Sequence, residues 1–275
     1  MSYEIDWNDA FANGAYIAGA AEYPPRWAAL ADAFRAQATH RADIAYGAHP
    51  REAYDLFLPD ALPLGLVVFV HGGYWLKFDK SYWSHLAAGP VAQGWAVALP
   101  SYTLAPEARI PQITGQIARA IEHAAAEAAG PICLTGHSAG GHLVTRMVCH
   151  DTPLPRDILG RIAHVVSISG LHDLRPLLHT EMNAELGLTE SAARLESPAL
   201  HSPQQDIAVT AWVGGNERPE FLRQSALLRE AWARKGCAAR LHVAAGLHHF
   251  NVIDGLAQPD SLLTQAVLSH PPPRA

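Results

Sequence analysis

The sequence predicts an α/β fold: a mostly parallel central sheet with helices on both faces and small lid segments. Three observations carry this expectation. Short apolar runs alternate with longer segments of helical period along most of the chain. Two of those runs, Leu66 to Val70 and His164 to Ser169, have the nearly continuous apolar character that burial on both faces demands. The 275 residues, 49% hydrophobic and 17% charged, provide core enough for one large α/β domain, and this composition excludes disorder, collagen and coiled coil. A single domain over 1–275 is expected.

Residues 1–40 are aromatic and alanine-rich, do not fit the alternation, and are read as a lid-like segment over the strand ends. Asp43 to Tyr46 and Ala53 to Leu58 flank Gly-Ala-His-Pro-Arg, the signature of an antiparallel hairpin at the leading edge of the sheet. Strands are then expected at Leu66 to Val70, Ala96 to Leu99, Ile132 to Thr135, His164 to Ser169, Ile207 to Val213 and Arg240 to Ala244. Helices are expected at Ser81 to Gln93, Pro111 to Ala128, Ala139 to His150 and Pro219 to Lys235. Proline opens two of them, and Gly130 and Gly236 supply stops. Residues 174–205 mix short helical pieces with Pro176, Pro198 and Pro203 and read as a cap insertion.

With 20 Lys and Arg against 26 Asp and Glu, the formal charge is −6, so no basic field attracts phosphate backbones or anionic lipid. Nucleic acid and membrane are not expected partners. Cys133, Cys149 and Cys237 are too few and too scattered for a disulfide framework, and no stretch approaches 18 apolar residues. The N-terminus lacks the basic-then-apolar pattern of a signal peptide, so a cytoplasmic location is expected. Whether the chain forms a homodimer is left open.

The sharpest signal is Gly136-His137-Ser138-Ala139-Gly140, placed directly after one apolar run and directly before a helical pattern. A strand turning abruptly into a helix needs small residues around a strained nucleophile, and the two glycines supply that room. A serine hydroxyl is a weak nucleophile at neutral pH, so Ser138 needs a base, and the base needs an orienting acid. In the chain order nucleophile, acid, histidine, the acid falls in the turn after a later strand and the histidine after the last one. The first place holds Glu217, with Asp173, after the preceding strand, as the rival acid. The second holds His248 and His249, of which His249 is the chosen base and His248 the alternate.

Donors for the oxyanion of a tetrahedral intermediate are expected from the backbone of Gly72 and Gly73 in His71-Gly72-Gly73-Tyr74-Trp75, joined by the amide of Ala139. Tyr74 and Trp75 are candidate walls of the substrate pocket, with His248 a further substrate contact and Tyr3, Trp7, Phe11 and Tyr16 closing the pocket from above. His71, His137 and His142 lack the spacing of a metal set, and the glycine run has neither the G-x-G-x-x-G spacing nor a Walker lysine. Metal and nucleotide sites are therefore not expected.

Taken together these residues resemble the α/β-hydrolase fold, in the branch shared by hormone-sensitive-lipase-like esterases and kynurenine formamidases (arylformamidases). Tyr102-Thr103-Leu104-Ala105-Pro106-Glu107 is similar to the branch's Y-R-L-A-P-E, with Thr103 in place of arginine. His-Gly-Gly-Tyr-Trp at 71–75, Ser-Gly-Leu-His-Asp-Leu-Arg-Pro at 169–176 and Pro-Glu-Phe-Leu-Arg-Gln-Ser at 219–225 are similar to arylformamidase strings. By that resemblance the nucleophile falls on Ser138, the acid on Glu217, where the family usually has aspartate, and the base on His249. The resemblance implies no cofactor, and a small-molecule substrate of the N-formyl aromatic amine class. A short-chain carboxylesterase is the alternative, and a catalytically silent protein of the same fold the third reading.

Overall fold

The computed structural model describes residues 5–204 and 206–269; Tyr3 and Pro271 to Pro273 lie outside them. Eight strands form one sheet: β1 (His40–Ala45), β2 (Ala53–Phe57), β3 (Leu66–Val70), β4 (Ala96–Pro100), β5 (Ile132–His137), β6 (Ile162–Ile168), β7 (Ala208–Gly214) and β8 (Ala239–Ala244). Their spatial order is β1-β2-β4-β3-β5-β6-β7-β8. The hairpin β1–β2 and the β2–β4 pair are antiparallel, and every other pair is parallel. Strands β2 to β5 are wholly buried, whereas the edge strands β1 and β8 are partly open to solvent. That difference explains why the central runs are continuously apolar while β1 and β8 carry Arg41, Asp43, Arg240 and His242.

Five longer helices cover the sheet: α1 (Tyr23–Arg35), α2 (Ile110–Ala125), α3 (Ala139–Arg146), α4 (Pro219–Ala233) and α5 (Leu262–Leu268). Side chains alternate across each strand, so the core divides in two. Val68, Leu134 and Val165 join Ile113, Ile117, Leu143, Phe221 and Trp232 of α2, α3 and α4 on one face. Val67, Cys133 and Val166 join Trp27, Leu263 and Val267 of α1 and α5 on the other. The Gln112 side chain accepts from the Arg109 N–H at the start of α2, and prolines occupy the first turns of α1, α2 and α4.

Three expectations need correction. Ser81 to Gln93 is not one helix: 3-10 turns at Lys80–Tyr82 and Ser84–Ala87 precede a short helix at Ala88–Ala92. Pro90 has no N–H and its ring crowds the carbonyl four residues earlier, so the α-helix starts only where proline falls in its first turn. The helix after Ser138 ends at Arg146 rather than His150, and Cys149 instead forms a bridge with Pro203. Helix α5 was not anticipated; Ser261 caps it by accepting from the Thr264 N–H. Residues 174–205 do form short helical pieces, at Arg175–His179, Asn183–Leu186, Glu190–Leu195 and Pro198–Leu200.

Candidate active site

Ser138 sits between β5 and α3 with φ 55° and ψ −116°, a conformation seldom adopted by a residue with a side chain. Its N–H donates to Ile168 O at 2.8 Å, and its carbonyl accepts from His142 N at 3.1 Å as α3 begins. The turn is held by close backbone approach. A Cβ on Gly140 would stand 1.9 Å from Val70 O, and one on Gly136 would stand 2.4 Å from Gly140 O. Ala139 is the first residue of α3, where helix geometry leaves the N–H without an intrahelical partner.

His249 and Glu217 meet this elbow from the ends of the last two strands. His249 Nδ1 lies 2.6 Å from Glu217 Oε2, with both residues buried. The other carboxylate oxygen, Oε1, accepts from Ser169 Oγ at 2.5 Å and from Gly214 N at 2.7 Å. Glu217 is thus fixed by three donors, one of them the imidazole. Asp173 is directed elsewhere: its carboxylate accepts from the Arg175 backbone and guanidinium at 2.8 to 3.1 Å. His137 adds a constraint on His249, donating from Nε2 to its carbonyl at 2.9 Å. Burial, reinforced by the neighbouring His249, holds the His137 imidazole well below its ordinary pKa and therefore neutral.

The segment after β3 passes close beside the serine. A Cβ on Gly72 would be 2.9 Å from Ser138 Cβ and 2.8 Å from His137 O, so only glycine fits. Gly73 has φ 108°, and its own Cβ would meet Lys77 O at 2.5 Å. Buried His71 stacks on Tyr102 with ring centroids 4.3 Å apart, and its Nδ1 lies 2.8 Å from Gly72 O. Burial pulls its pKa down to about 4, so a neutral ring donates to that carbonyl. Because a trans peptide points its C=O and the following N–H in opposite directions, anchoring Gly72 O also fixes where the Gly73 N–H points.

A cavity of 610 Å³ opens over these groups. Gly72, Gly73, Ser138 and His249 line its floor, and its walls include Phe11, Trp27, Tyr74, Phe78, Trp83 and Phe250. Both atypical segments contribute: Phe11 to Gly14, Ala20, Ala21 and Pro24 from the N-terminal region, Met182 and Glu185 from residues 174–205. The Tyr74 hydroxyl donates to Phe11 O at 2.7 Å and ties the N-terminal segment to the loop after β3. Trp7 stacks on Phe11, while exposed Tyr16 lies under the Arg218 guanidinium at 3.6 Å.

Two expected substrate contacts are not in the lining. Trp75 is fully buried in the core, edge-on to His142 at 5.2 Å, because the chain reverses through positive φ at both Tyr74 (53°) and Trp75 (59°). His248 points to the N-terminal helix, with Nε2 3.1 Å from the Tyr23 hydroxyl. His71, His137 and His142 do not converge either; each has a ring nitrogen against a different carbonyl, of Gly72, His249 and Glu196 respectively. Sequence reasoning gave no role to Ser169 or His137, although each carried a local signal: Ser169 opens the string at 169–176, and His137 sits inside the elbow pattern.

The sheet, the strained serine and the histidine–glutamate pair define a hydrolase of the α/β-hydrolase fold. The chain belongs to the BD-FAE family, whose model matches residues 54–212. It is similar to kynurenine formamidases: 29% identical to that of Danio rerio over 82% of this chain and 80% of that protein, and 27% identical to that of Drosophila melanogaster over 71% and 69%. A solved structure of a Silicibacter protein, described as a candidate thioesterase, is 53% identical with a TM-score of 0.92, covering 97% of this chain and all of that one. The esterase of Pyrobaculum calidifontis, 16% identical with a TM-score of 0.68 over 90% of each chain, shares the fold. Among the described residues no helix is long and apolar enough to cross a membrane.

Proposed function

We propose that the chain is a serine hydrolase that cleaves aryl formamides through a formyl-enzyme, with Ser138 as nucleophile, His249 as base and Glu217 as orienting acid. The observation that carries the reading is His249, bonded to Glu217, lining with Ser138 a cavity that is walled by aromatic rings. His249 takes the Ser138 proton as Oγ attacks the formyl carbon, and Glu217 holds the ring by Nδ1 and stabilises the imidazolium. The N–H groups of Gly73 and Ala139, with the Gly72 backbone beside them, receive the oxyanion, at roughly 3 kcal/mol per donor. The imidazolium then protonates the departing aryl amine. Water, activated by the same imidazole, attacks the formyl ester and releases formate with Ser138 restored.

The similarity to kynurenine formamidases supports N-formylkynurenine as the substrate to try first. The Silicibacter relative, a candidate thioesterase, supports a second reading in which a short acyl ester or thioester enters the same machinery. The test is kcat/KM on N-formyl-L-kynurenine, p-nitrophenyl acetate and a short acyl thioester, with Ser138→Ala as blank. A dominant formamide rate is expected. Ester or thioester cleavage with negligible formamide turnover would remove the formamidase reading and leave the serine mechanism in place. A folded protein whose Ser138 resists a fluorophosphonate would remove both.

A further inference from the structure

The chain just after α3 is laced to the end of residues 174–205. The His150 N–H donates to Ser202 O at 2.8 Å, the Gln204 N–H donates to Val148 O at 2.8 Å, and Cys149 bridges Pro203. This pairing gathers His150, Asp151 and His201, whose ligand atoms, one from each residue, all lie within 4.8 Å of one another. Among the described residues it is the one such group of three, and none of its members lines the cavity over Ser138. His201 Nε2 lies 2.8 Å from Leu195 O. A carbonyl only accepts, so this nitrogen carries the proton, and in the neutral ring Nδ1 is left with a lone pair. Nδ1 in turn lies 3.5 Å from Asp151 Oδ2, which sets two acceptors face to face unless a cation stands between them.

The spacing fits a metal ion. Ligand atoms roughly 2.1 Å from a tetrahedral ion stand about 3.4 Å apart, close to the 3.5 Å between Nδ1 and Oδ2. His150 is exposed, so rotation of its side chain brings a ring nitrogen in as the third ligand. The contacts around the group are those that orient ligands: Leu195 O fixes the His201 ring, Lys235 Nζ donates to the His201 carbonyl at 2.7 Å, and Arg146 donates to Asp151 Oδ1 at 2.9 Å. Arg146 reaches Oδ2 only at 3.5 Å and is shared with Glu196 Oε2 at 3.3 Å, which leaves Oδ2 a lone pair for a metal. Two imidazoles and one carboxylate suit a divalent ion of borderline softness, Zn²⁺ rather than Mg²⁺ or Ca²⁺, with water in the fourth position. We propose that His150, Asp151 and His201 bind a divalent transition-metal ion that clips the end of α3 to the end of residues 174–205. The inference does not depend on the reaction proposed above.

The full chain, stripped with a chelator and dialysed, is titrated with ZnCl₂ by calorimetry and with CoCl₂ by visible absorption. The unaltered protein is compared with His150→Ala, His201→Ala, Asp151→Asn and His249→Ala. Expected are one saturable Zn²⁺ site with Kd at or below about 10 μM, a tetrahedral Co²⁺ band, and a Tm raised by about 2 °C or more at about 100 μM Zn²⁺ and unmoved by Mg²⁺. His150→Ala should abolish the rise while keeping the metal-free Tm, because the ring it removes is exposed. His201→Ala and Asp151→Asn should weaken binding by about tenfold or more. His249→Ala should keep the site, which separates it from metal captured by the active-site imidazole. A site that survives His150→Ala, or one lost in His249→Ala, would overturn the proposal. So would the lack of any saturable site, which would leave His201 as an imidazolium paired with Asp151.

Discussion

In the proposed mechanism His249 accepts a proton at one ring nitrogen while the other stays bonded to Glu217 Oε2 at 2.6 Å. Removing the ring removes the base, so His249→Ala should lower kcat on p-nitrophenyl acetate by at least about 10³-fold. His248→Ala should cost only a few-fold, roughly 1 kcal/mol, since that ring holds Tyr23 and does not line the cavity. Glu217→Gln keeps the shape but loses the charge that stabilises the imidazolium, and a loss of about 10² to 10⁴ in kcat is expected. Asp173→Asn should leave kcat near that of the unaltered protein while lowering Tm, because its carboxylate serves Arg175. Greater damage from Asp173→Asn than from Glu217→Gln, in the same assay, would exchange their roles. The residues assigned from sequence follow local rules: an elbow pattern, then polar groups just beyond strand ends. Ser169 escaped because its significance comes from a partner distant in sequence, Glu217. Trp75 was misjudged because consecutive positive-φ residues send neighbouring rings to different environments, which residue type does not reveal.

The elbow is a three-element device in which β3, β5 and α3 approach too closely for side chains at Gly136 and Gly140. Gly140→Ala forces a methyl to within 1.9 Å of the Val70 carbonyl, a backbone atom that cannot rotate away. We expect a loss of about 3 kcal/mol or more of stability, together with activity, measured by urea unfolding and turnover; an active variant of ordinary stability would show that α3 can shift at no cost. The same scale shows what was legible among the elements. All eight strands were, most by their apolar runs and the leading pair by the turn between them, although β1 starts at His40, three residues before the expected Asp43. The stretch 80–92 was less so, because its apolar residues have helical spacing while Pro90 forbids the continuous hydrogen bonding that spacing implies. At the N-terminal segment, Arg218 lies over Tyr16 and pairs with Asp9, fastening the cover to the start of α4. Arg218→Ala should raise KM for aryl substrates several-fold, about 1 kcal/mol, with kcat little changed. An unchanged KM would mean that the cover does not depend on this fastening.

At the scale of the whole fold, five histidines among the described residues are buried with depressed pKa values, so folding depends on their remaining neutral. Burial lowers His71 and His85 to about 4 and His142 and His172 to about 3, and it places His137 well below its ordinary value. In the unfolded chain each titrates near 6.5. Above that pH neither state binds the proton, and these groups leave stability independent of pH. Between about 6.5 and 4 the unfolded chain binds protons that the folded one refuses, so stability falls as pH falls, by at most about 1.4 kcal/mol per pH unit for each ring. Even half of that from five rings is about 3.5 kcal/mol per unit, a large share of the roughly 5 to 15 kcal/mol typical of a domain. The urea midpoint should therefore be level from pH 8 to 7 and drop steeply from 6.5 to 5. His85 offers an internal check: its two ring nitrogens have no partner, so His85→Leu should flatten the acid limb without loss at pH 7.5. An acid limb no shallower in this variant would mean that His85 takes up its proton without unfolding, and that its burial does not restrain folding at low pH.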